Sequence, residues 1–296
     1  MKISTQTSVV FKRLGEIEGI KLFKKAGYDC IDLSLNTELV KKYTQNPEIL
    51  DEMLKTANEV GIYFNQSHAP YPSSVGDTVK DEEIIQTLIN AIKIASKLKI
   101  KAIIIHPVQH LTYESFYYEV NNSEKLFELN MEFYNKLLPY AKEYGVKIAT
   151  ENMWQWENAY WTFANAPCST SNEFIRYIDS INSEWFVGCL DLGHATLMTH
   201  INHEDVPTFI RKMGSKRIKC LHIHSVDMTH DNHTLPGICI AKFDESIKAL
   251  KEIGYKGYFT LECDRYLHGY TPENILDGLK DMAAVDKKLA EMFKNA

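Results

Sequence analysis

Along the chain, short apolar runs alternate with longer stretches in which apolar residues recur every three or four positions. The apolar runs lie at 3–10, 28–35, 62–68, 101–106, 146–151, 186–191, 217–224 and 257–262. They are rich in Ile, Val, Phe and Tyr, as strands buried on both faces of a parallel sheet should be. Between them, residues 15–26, 47–60, 81–98, 122–144, 170–180, 203–213, 242–253 and 272–293 carry helical spacing. Leu88, Ile92 and Ala95 form one such stripe. Gly27, Gly61, Gly145 and Gly254 stand where a left-handed residue ends a helix. Asn46 or Pro47, Ser171 and Thr271-Pro272 suit helix starts. Strand-then-helix units repeat from end to end without a linker or low-complexity stretch. This predicts an α/β fold, one (β/α)8 barrel spanning residues 1–296 as a single domain. A doubly wound open sheet is the rival. No glycine-rich phosphate loop follows the first strand, and no Walker-type or GxGxxG motif occurs, so no nucleotide cofactor is expected.

The ends of the apolar runs hold the candidate chemistry. They read Gln66-Ser67-His68-Ala69-Pro70-Tyr71, Ile105-His106-Pro107, Thr150-Glu151-Asn152, Asp191-Leu192-Gly193-His194, Leu221-His222-Ile223-His224 and Leu261-Glu262-Cys263-Asp264. Active sites of (β/α)8 barrels lie at the C-terminal face of the strands. Imidazole with carboxylate is the ligand set of zinc, manganese and related divalent ions. Glu151, Asp191, His224 and Glu262 end four neighbouring strands and could hold one such ion. The ion would bind two oxygens of a sugar-like substrate and polarise its carbonyl. Glu151 and Glu262 could then serve as bases on opposite faces of the adjacent carbon. His222 and His224 are two apart and share one face of a strand. Nearness to the strand end favours His224 as the ligand, leaving His222 to contact substrate.

The expected loops after the strands are long, at 69–80, 107–121, 152–169, 192–202 and 225–241. They would build up the catalytic face. Asp231 and His233 could reach a metal from the last of them, as could His68 and His106 from the third and fourth strands. The loop at 152–169 holds Trp154, Trp156 and Trp161, whose rings could stack on a sugar face. Tyr71 is a further candidate wall of the same pocket.

Composition narrows the partners. Hydrophobic residues make up 45% of the chain and charged residues 24%, a globular balance. No apolar run approaches the roughly 18 to 20 residues that span a bilayer. The N-terminus, Met1-Lys2-Ile3-Ser4-Thr5-Gln6, lacks signal-peptide character, so a cytoplasmic location is expected. A net charge of −6 disfavours a broad nucleic-acid surface. The six cysteines are scattered, with no Cys-x-x-Cys pair, and are expected to be reduced and structural. A small carbohydrate is the expected partner, and a homo-oligomer stays open.

Taken in order, Glu151-Asn152, Asp191-Leu192-Gly193-His194, His224-Ser225-Val226-Asp227, Asp231-Asn232-His233-Thr234-Leu235-Pro236-Gly237 and Leu261-Glu262 make the chain resemble the xylose-isomerase-like TIM-barrel superfamily. That group holds sugar isomerases, sugar 3-epimerases, inosose dehydratases and endonuclease-IV-type AP endonucleases. Resemblance to the 3-epimerases implies one manganese- or cobalt-type ion on Glu151, Asp191, His224 and Glu262. It implies Glu151 and Glu262 as the proton-transfer pair and His194 as a substrate contact. Resemblance to the AP endonucleases implies three zinc ions on nine side chains. Those would be His68, His106, Glu151, Asp191, His194, His224, Asp231, His233 and Glu262. The chain departs from the repair enzymes after Tyr71, where Pro72-Ser73-Ser74-Val75-Gly76-Asp77 follows. It departs from both branches after Gly237, where Ile238-Cys239-Ile240 follows. The implied activity is a metal-dependent isomerase or epimerase of a sugar, sugar phosphate or polyol. The alternative is a multinuclear-zinc phosphodiesterase.

Overall fold

All eight expected strands form, and they run parallel around one closed ring. The computed structural model describes residues 1–109, 123–157, 162–239 and 241–296. The expected loop 107–121 from residue 110 onward, Trp161 and Ile240 lie outside them. In chain order the strands are β1 (Lys2–Thr5), β2 (Cys30–Ser34), β3 (Tyr63–His68), β4 (Ala102–Ile104), β5 (Lys147–Glu151), β6 (Gln155–Glu157), β7 (Thr162–Ala164), β8 (Phe186–Asp191), β9 (Ile218–His222) and β10 (Tyr258–Leu261). Six of them pair in the order β2-β3-β4-β5-β8-β9, and β1 pairs with β10. Parallel bridges Gln6–Asp32 and Ile223–Leu261 join the two sets and close the barrel.

The helices are α1 (Ser8–Leu14), α2 (Glu16–Ala26), α3 (Thr37–Gln45), α4 (Glu48–Val60), α5 (Thr78–Lys97), α6 (Ser123–Tyr144), α7 (Ser171–Ile181), α8 (Leu192–Asn202), α9 (Val206–Arg217), α10 (Asp244–Glu252) and α11 (Ile275–Asn295). Side-chain caps start several of them. Asn36 accepts from the Leu39 amide, Asp77 from Val79 and Lys80, Thr170 from Glu173, and Asp205 from Thr208. Gly27 and Gly61 end α2 and α4 in the left-handed conformation, as expected. The apolar stripes of these helices pack on the outside of the barrel. Leu88, Ile92 and Ala95 of α5 are fully buried, as are Ile103, Ile148, Leu190 and Leu221 of the strands. Each such Leu or Ile contributes roughly 1.5–3 kcal/mol.

The structure corrects several boundaries. The run at 3–10 is a strand only to Thr5; the chain then enters α1, which buries Val9, Val10 and Phe11. Residues 37–45 and 192–202 are helices, and a short antiparallel hairpin, β6-β7, stands inside the loop expected at 152–169. Asp77 starts α5 before the expected position 81. All six cysteines are free thiols and five are buried. Among the described residues, no helix is long and apolar enough to cross a membrane.

Polar side chains reach across the ring below its C-terminal mouth. Ser4 donates to Asn65 at 2.7 Å, and Gln66 donates to Asp32 at 3.1 Å. The floor beneath the mouth is therefore hydrogen-bonded.

Candidate metal centre

The strand ends bring nine of the anticipated residues, and His222, into one buried polar cluster. Glu151 ends β5, Asp191 ends β8, His222 ends β9, and Glu262 follows β10 directly. Ligand atoms of these four lie within 4.8 Å of one another. His222 Nδ1 is 2.8 Å from Glu151 Oε1 and 3.1 Å from Glu262 Oε2. The same imidazole nitrogen thus faces both glutamates. Gln6 fixes Glu262 from the other side, donating to its Oε1 at 2.6 Å.

His222, rather than His224, stands with the two glutamates and Asp191. The register explains this, because Asp191 pairs with His222 across β8 and β9. His224 sits two residues further on and joins a neighbouring group with His194, Asp231 and His233. It keeps contact with Asp191, its Nε2 lying 3.0 Å from Oδ1. Gly193 makes room for it: a Cβ there would lie 2.1 Å from the His224 ring. A third group comprises His68, His106 and Glu151. There His106 Nε2 is 3.1 Å from Glu151 Oε2 and 2.9 Å from His68 Nε2.

Four histidines show one arrangement. Each has an outer nitrogen tied to an acceptor and an inner nitrogen aimed at carboxylates. His68 Nδ1 meets Ala69 O at 2.8 Å, His194 Nδ1 meets Asn152 O at 2.9 Å, and His233 Nδ1 meets Glu262 O at 2.9 Å. In His222 the outer nitrogen is Nε2, 3.3 Å from Asp32 Oδ2. A proton on the outer nitrogen leaves a lone pair facing inward, the state of a metal-ligating histidine. Among the described residues several inward atoms are buried and make no aligned hydrogen bond, although ion-pair contacts reach some of them: Glu151 Oε2, Asp191 Oδ2, Asp231 Oδ1 and both ring nitrogens of His224. Buried polar atoms left this way are costly unless an ion supplies the missing bonds. The donor set therefore fits one or more divalent cations.

Electrostatics follow from the packing. Burial alone would raise the Glu151 carboxyl, but His222 and His106 hold it well below the usual carboxylate range. Burial likewise opposes ionisation of Glu262, and His222 and His233 overcome it. Burial lowers His68, reinforced by His106. Burial would also lower His233, yet Glu262 and Asp231 push it up to about 9.

A cleft of about 830 Å³ opens beside Glu262, His68 and His233. Its walls run outward past Tyr71 to Ser8 and Leu39. Tyr71 is 70% exposed and lies over His106 with ring centroids 5.3 Å apart. The anticipated tryptophans stand elsewhere. Trp154 packs edge-on against Phe163, 5.2 Å away, and Trp156 does the same at 5.3 Å. Trp154 also approaches His194 at 6.4 Å, so it borders the cluster without lining the cleft.

Sequence reasoning passed over Asp32, Gln6, Gln66 and Asn152. Asn152 accepts from the Asp191 amide at 2.7 Å and donates to its carbonyl at 2.9 Å, locking β5 to β8 at the site. Asp32 carried a signal: a carboxylate inside an otherwise apolar strand, Cys30-Ile31-Asp32-Leu33.

The profile of the xylose isomerase-like TIM barrel matches residues 20–285. The chain belongs to this family. Among its curated relatives is MJ1311 of Methanocaldococcus jannaschii, an uncharacterized protein. It is 25% identical over 233 residues, which cover 77% of this chain and 73% of that protein. Among solved structures, the IOLI protein with a bound zinc atom superposes with a TM-score of 0.76 at 19% identity, covering 98% of this chain and 99% of that one. An L-ribulose 3-epimerase superposes at 0.74 with 17% identity, covering 99% and 96%. This xylose isomerase-like barrel thus shares its whole fold with both, and its cluster stands at the C-terminal mouth where barrels of this kind carry their sites.

Proposed function

We propose that this protein is a divalent-metal-dependent isomerase or epimerase of a small carbohydrate, working in the cytoplasm. The observation that carries the reading is the pairing of Glu151 and Glu262 across His222 Nδ1, at 2.8 and 3.1 Å. The sugar epimerases among its structural neighbours and the zinc atom of the IOLI protein support it. Glu151, Asp191, His222 and Glu262 would hold the ion, zinc, manganese or cobalt by donor type. When bound, it would polarise a substrate carbonyl and stabilise the charge that develops on its oxygen.

The chain's own residues do the rest. Glu151 and Glu262 are ionised by their histidine neighbours, so either can accept a proton from the carbon beside the carbonyl. The other glutamate would take a proton from solvent water and return it to the opposite face, while the first releases the proton it accepted to water. Gln6 holds Glu262 in place. Tyr71 offers an exposed ring for the apolar face of a sugar.

Candidate ketohexoses turned over in deuterated water test this. Label should enter the carbon beside the carbonyl. Glu151→Gln and Glu262→Gln should each lower net turnover by about 10²- to 10⁴-fold. Turnover without label would remove the two-base scheme.

A second reading, a multinuclear metallohydrolase, is favoured by the two further donor groups, His68-His106-Glu151 and His194-His224-Asp231-His233. Metal counting separates the two. One tightly held ion per chain fits the isomerase, and three fit the hydrolase, which should then cleave abasic-site DNA faster than it turns over any sugar.

A further inference from the structure

We infer that Asp32 is a positioning residue for His222, fixing which ring nitrogen faces the metal centre and making it a stronger donor. This rests on His222 being a ligand, as proposed above. Asp32 stands in the middle of β2, three strands round the ring from β9, and is fully buried. Its Oδ2 is 3.3 Å from His222 Nε2 and accepts from Gln66 Nε2 at 3.1 Å. Gln66 also reaches the Leu221 carbonyl at 3.4 Å, bridging β3 to the residue before His222. Asp32, Gln66 and His222 therefore form one polar chain across the barrel floor, ending at Nδ1 between Glu151 and Glu262.

Three observations separate Asp32 from an ordinary buried carboxylate. First, among the described residues it has no Lys or Arg partner, and its one ion-pairing neighbour is the His222 ring. A buried carboxylate without a cation is costly, and here the contacts to Gln66 and the His222 ring are what offset that cost. Second, the outer nitrogens of His68, His194 and His233 meet neutral backbone carbonyls, whereas that of His222 meets a carboxylate. A charged acceptor raises the basicity of the opposite nitrogen more than a carbonyl does. Third, β2 contributes none of the ten residues of the cluster itself. Its one inward carboxylate acts from below, through the imidazole.

The physical consequence is a fixed tautomer. With Asp32 accepting, the proton would stay on Nε2 and leave the Nδ1 lone pair free to serve an ion. Without Asp32, Nε2–H loses its acceptor, the ring is free to rotate or change tautomer, and the ion loses its nitrogen donor.

The test is a double-mutant cycle on metal affinity, read by competition with a chromophoric chelator using zinc and cobalt. Asp32→Asn keeps the shape and removes the charge. It should weaken binding by about 10- to 100-fold and shift the visible absorption bands of the cobalt-loaded protein. In a His222→Ala background the same change should have no further effect, because Asp32 then has nothing to position. An equal loss in both backgrounds would make Asp32 merely structural and overturn the inference. A measurement on the unmutated protein guards against a variant that fails to fold. Long-range ¹⁵N–¹H spectra of the histidine-labelled, zinc-loaded protein should show His222 protonated at Nε2 and ligated through Nδ1. The opposite tautomer would also overturn it. If the unmutated chain binds neither zinc nor cobalt, the metal reading fails. If it binds both and Asp32→Asn binds as tightly with unchanged bands, only this inference fails.

Discussion

Asp286 shows what a buried carboxylate costs when nothing compensates it. It lies on α11 behind the barrel, fully buried, and among the described residues no cation or side-chain donor pairs with it, only the Ser4 backbone coming near. Burial drives its carboxyl well above the ordinary value, against a small opposing effect from the Ser4 backbone. The folded state therefore holds a proton that the unfolded chain releases near pH 4. A raised acid pKa means stability is fully present below the unfolded value and is lost as pH rises toward the folded one. Asp286→Asn removes that loss. At pH 7 it should stabilise the protein by on the order of 1–3 kcal/mol in urea unfolding, and the gain should vanish below about pH 4. A variant less stable than the parent at pH 7 would show that the carboxylate has a partner. The contrast with the site is instructive. Glu151 and Glu262 are as deeply placed, but histidines surround them and hold them ionised.

At the scale of elements, α8 joins architecture to chemistry. Asp191 ends β8 and is also the N-cap of α8, its Oδ1 accepting from the His194 amide at 2.6 Å. Its Oδ2 is buried and unpartnered. One oxygen thus starts the helix, and the other would be free to bind an ion. The two roles can be separated. Asp191→Asn keeps a competent cap, so unfolding of the metal-free protein should change by less than about 0.5 kcal/mol, while metal content falls sharply. Asp191→Ala should lose the ion and a further ~1 kcal/mol. Equal destabilisation of the metal-free protein by both would refute the division. This helix was not legible in the sequence. Its residues Leu192, Gly193, Ala195, Leu197 and Met198 are buried, while Thr196, Thr199 and His200 mark a polar side too narrow to give a clear helical period. The β6-β7 hairpin was hidden for another reason: each strand has three residues, too few for alternation to register. By contrast, α3 offered a readable signal in the Asn36 cap and the Val40-Tyr43 spacing. The eight barrel strands were legible because burial on both faces makes each a nearly continuous apolar run.

Across the whole molecule, the cluster gathers side chains from the ends of β3, β5, β8, β9 and β10, with His106 just beyond β4 and Asp231 and His233 from the loop after β9. The sequence showed most of these residues because they stand at or just beyond the end of an apolar run, while Asp231 and His233 stood out only as ligand-type residues in a polar loop. Nearness to the strand end put His224 ahead of His222, but alternation places both on one face, and the pairing of Asp191 with His222 brings His222 level with the two glutamates. The sequence could not orient the tryptophans, whose hairpin turns them onto Phe163. A centre drawn from most of the strands couples metal binding to folding, because the unfolded chain holds no such arrangement. Stability should then depend on free metal. At a hundred times the dissociation constant the gain is about 2.7 kcal/mol, and each further tenfold adds about 1.4 kcal/mol. For a chain of this size, 1 kcal/mol moves the melting temperature by roughly 2 °C. Thermal melts after chelation should fall by on the order of 5 °C relative to the saturated protein. They should recover in proportion to the logarithm of added zinc or manganese. Magnesium should recover them poorly, since an imidazole-containing site suits softer ions. Identical melting curves with chelator and with saturating zinc, manganese or cobalt would mean that the native barrel binds no ion. The orphaned atoms of Glu151, Asp191, Asp231 and His224 would then have to be satisfied by water, and the proposed chemistry would lose its electrophile.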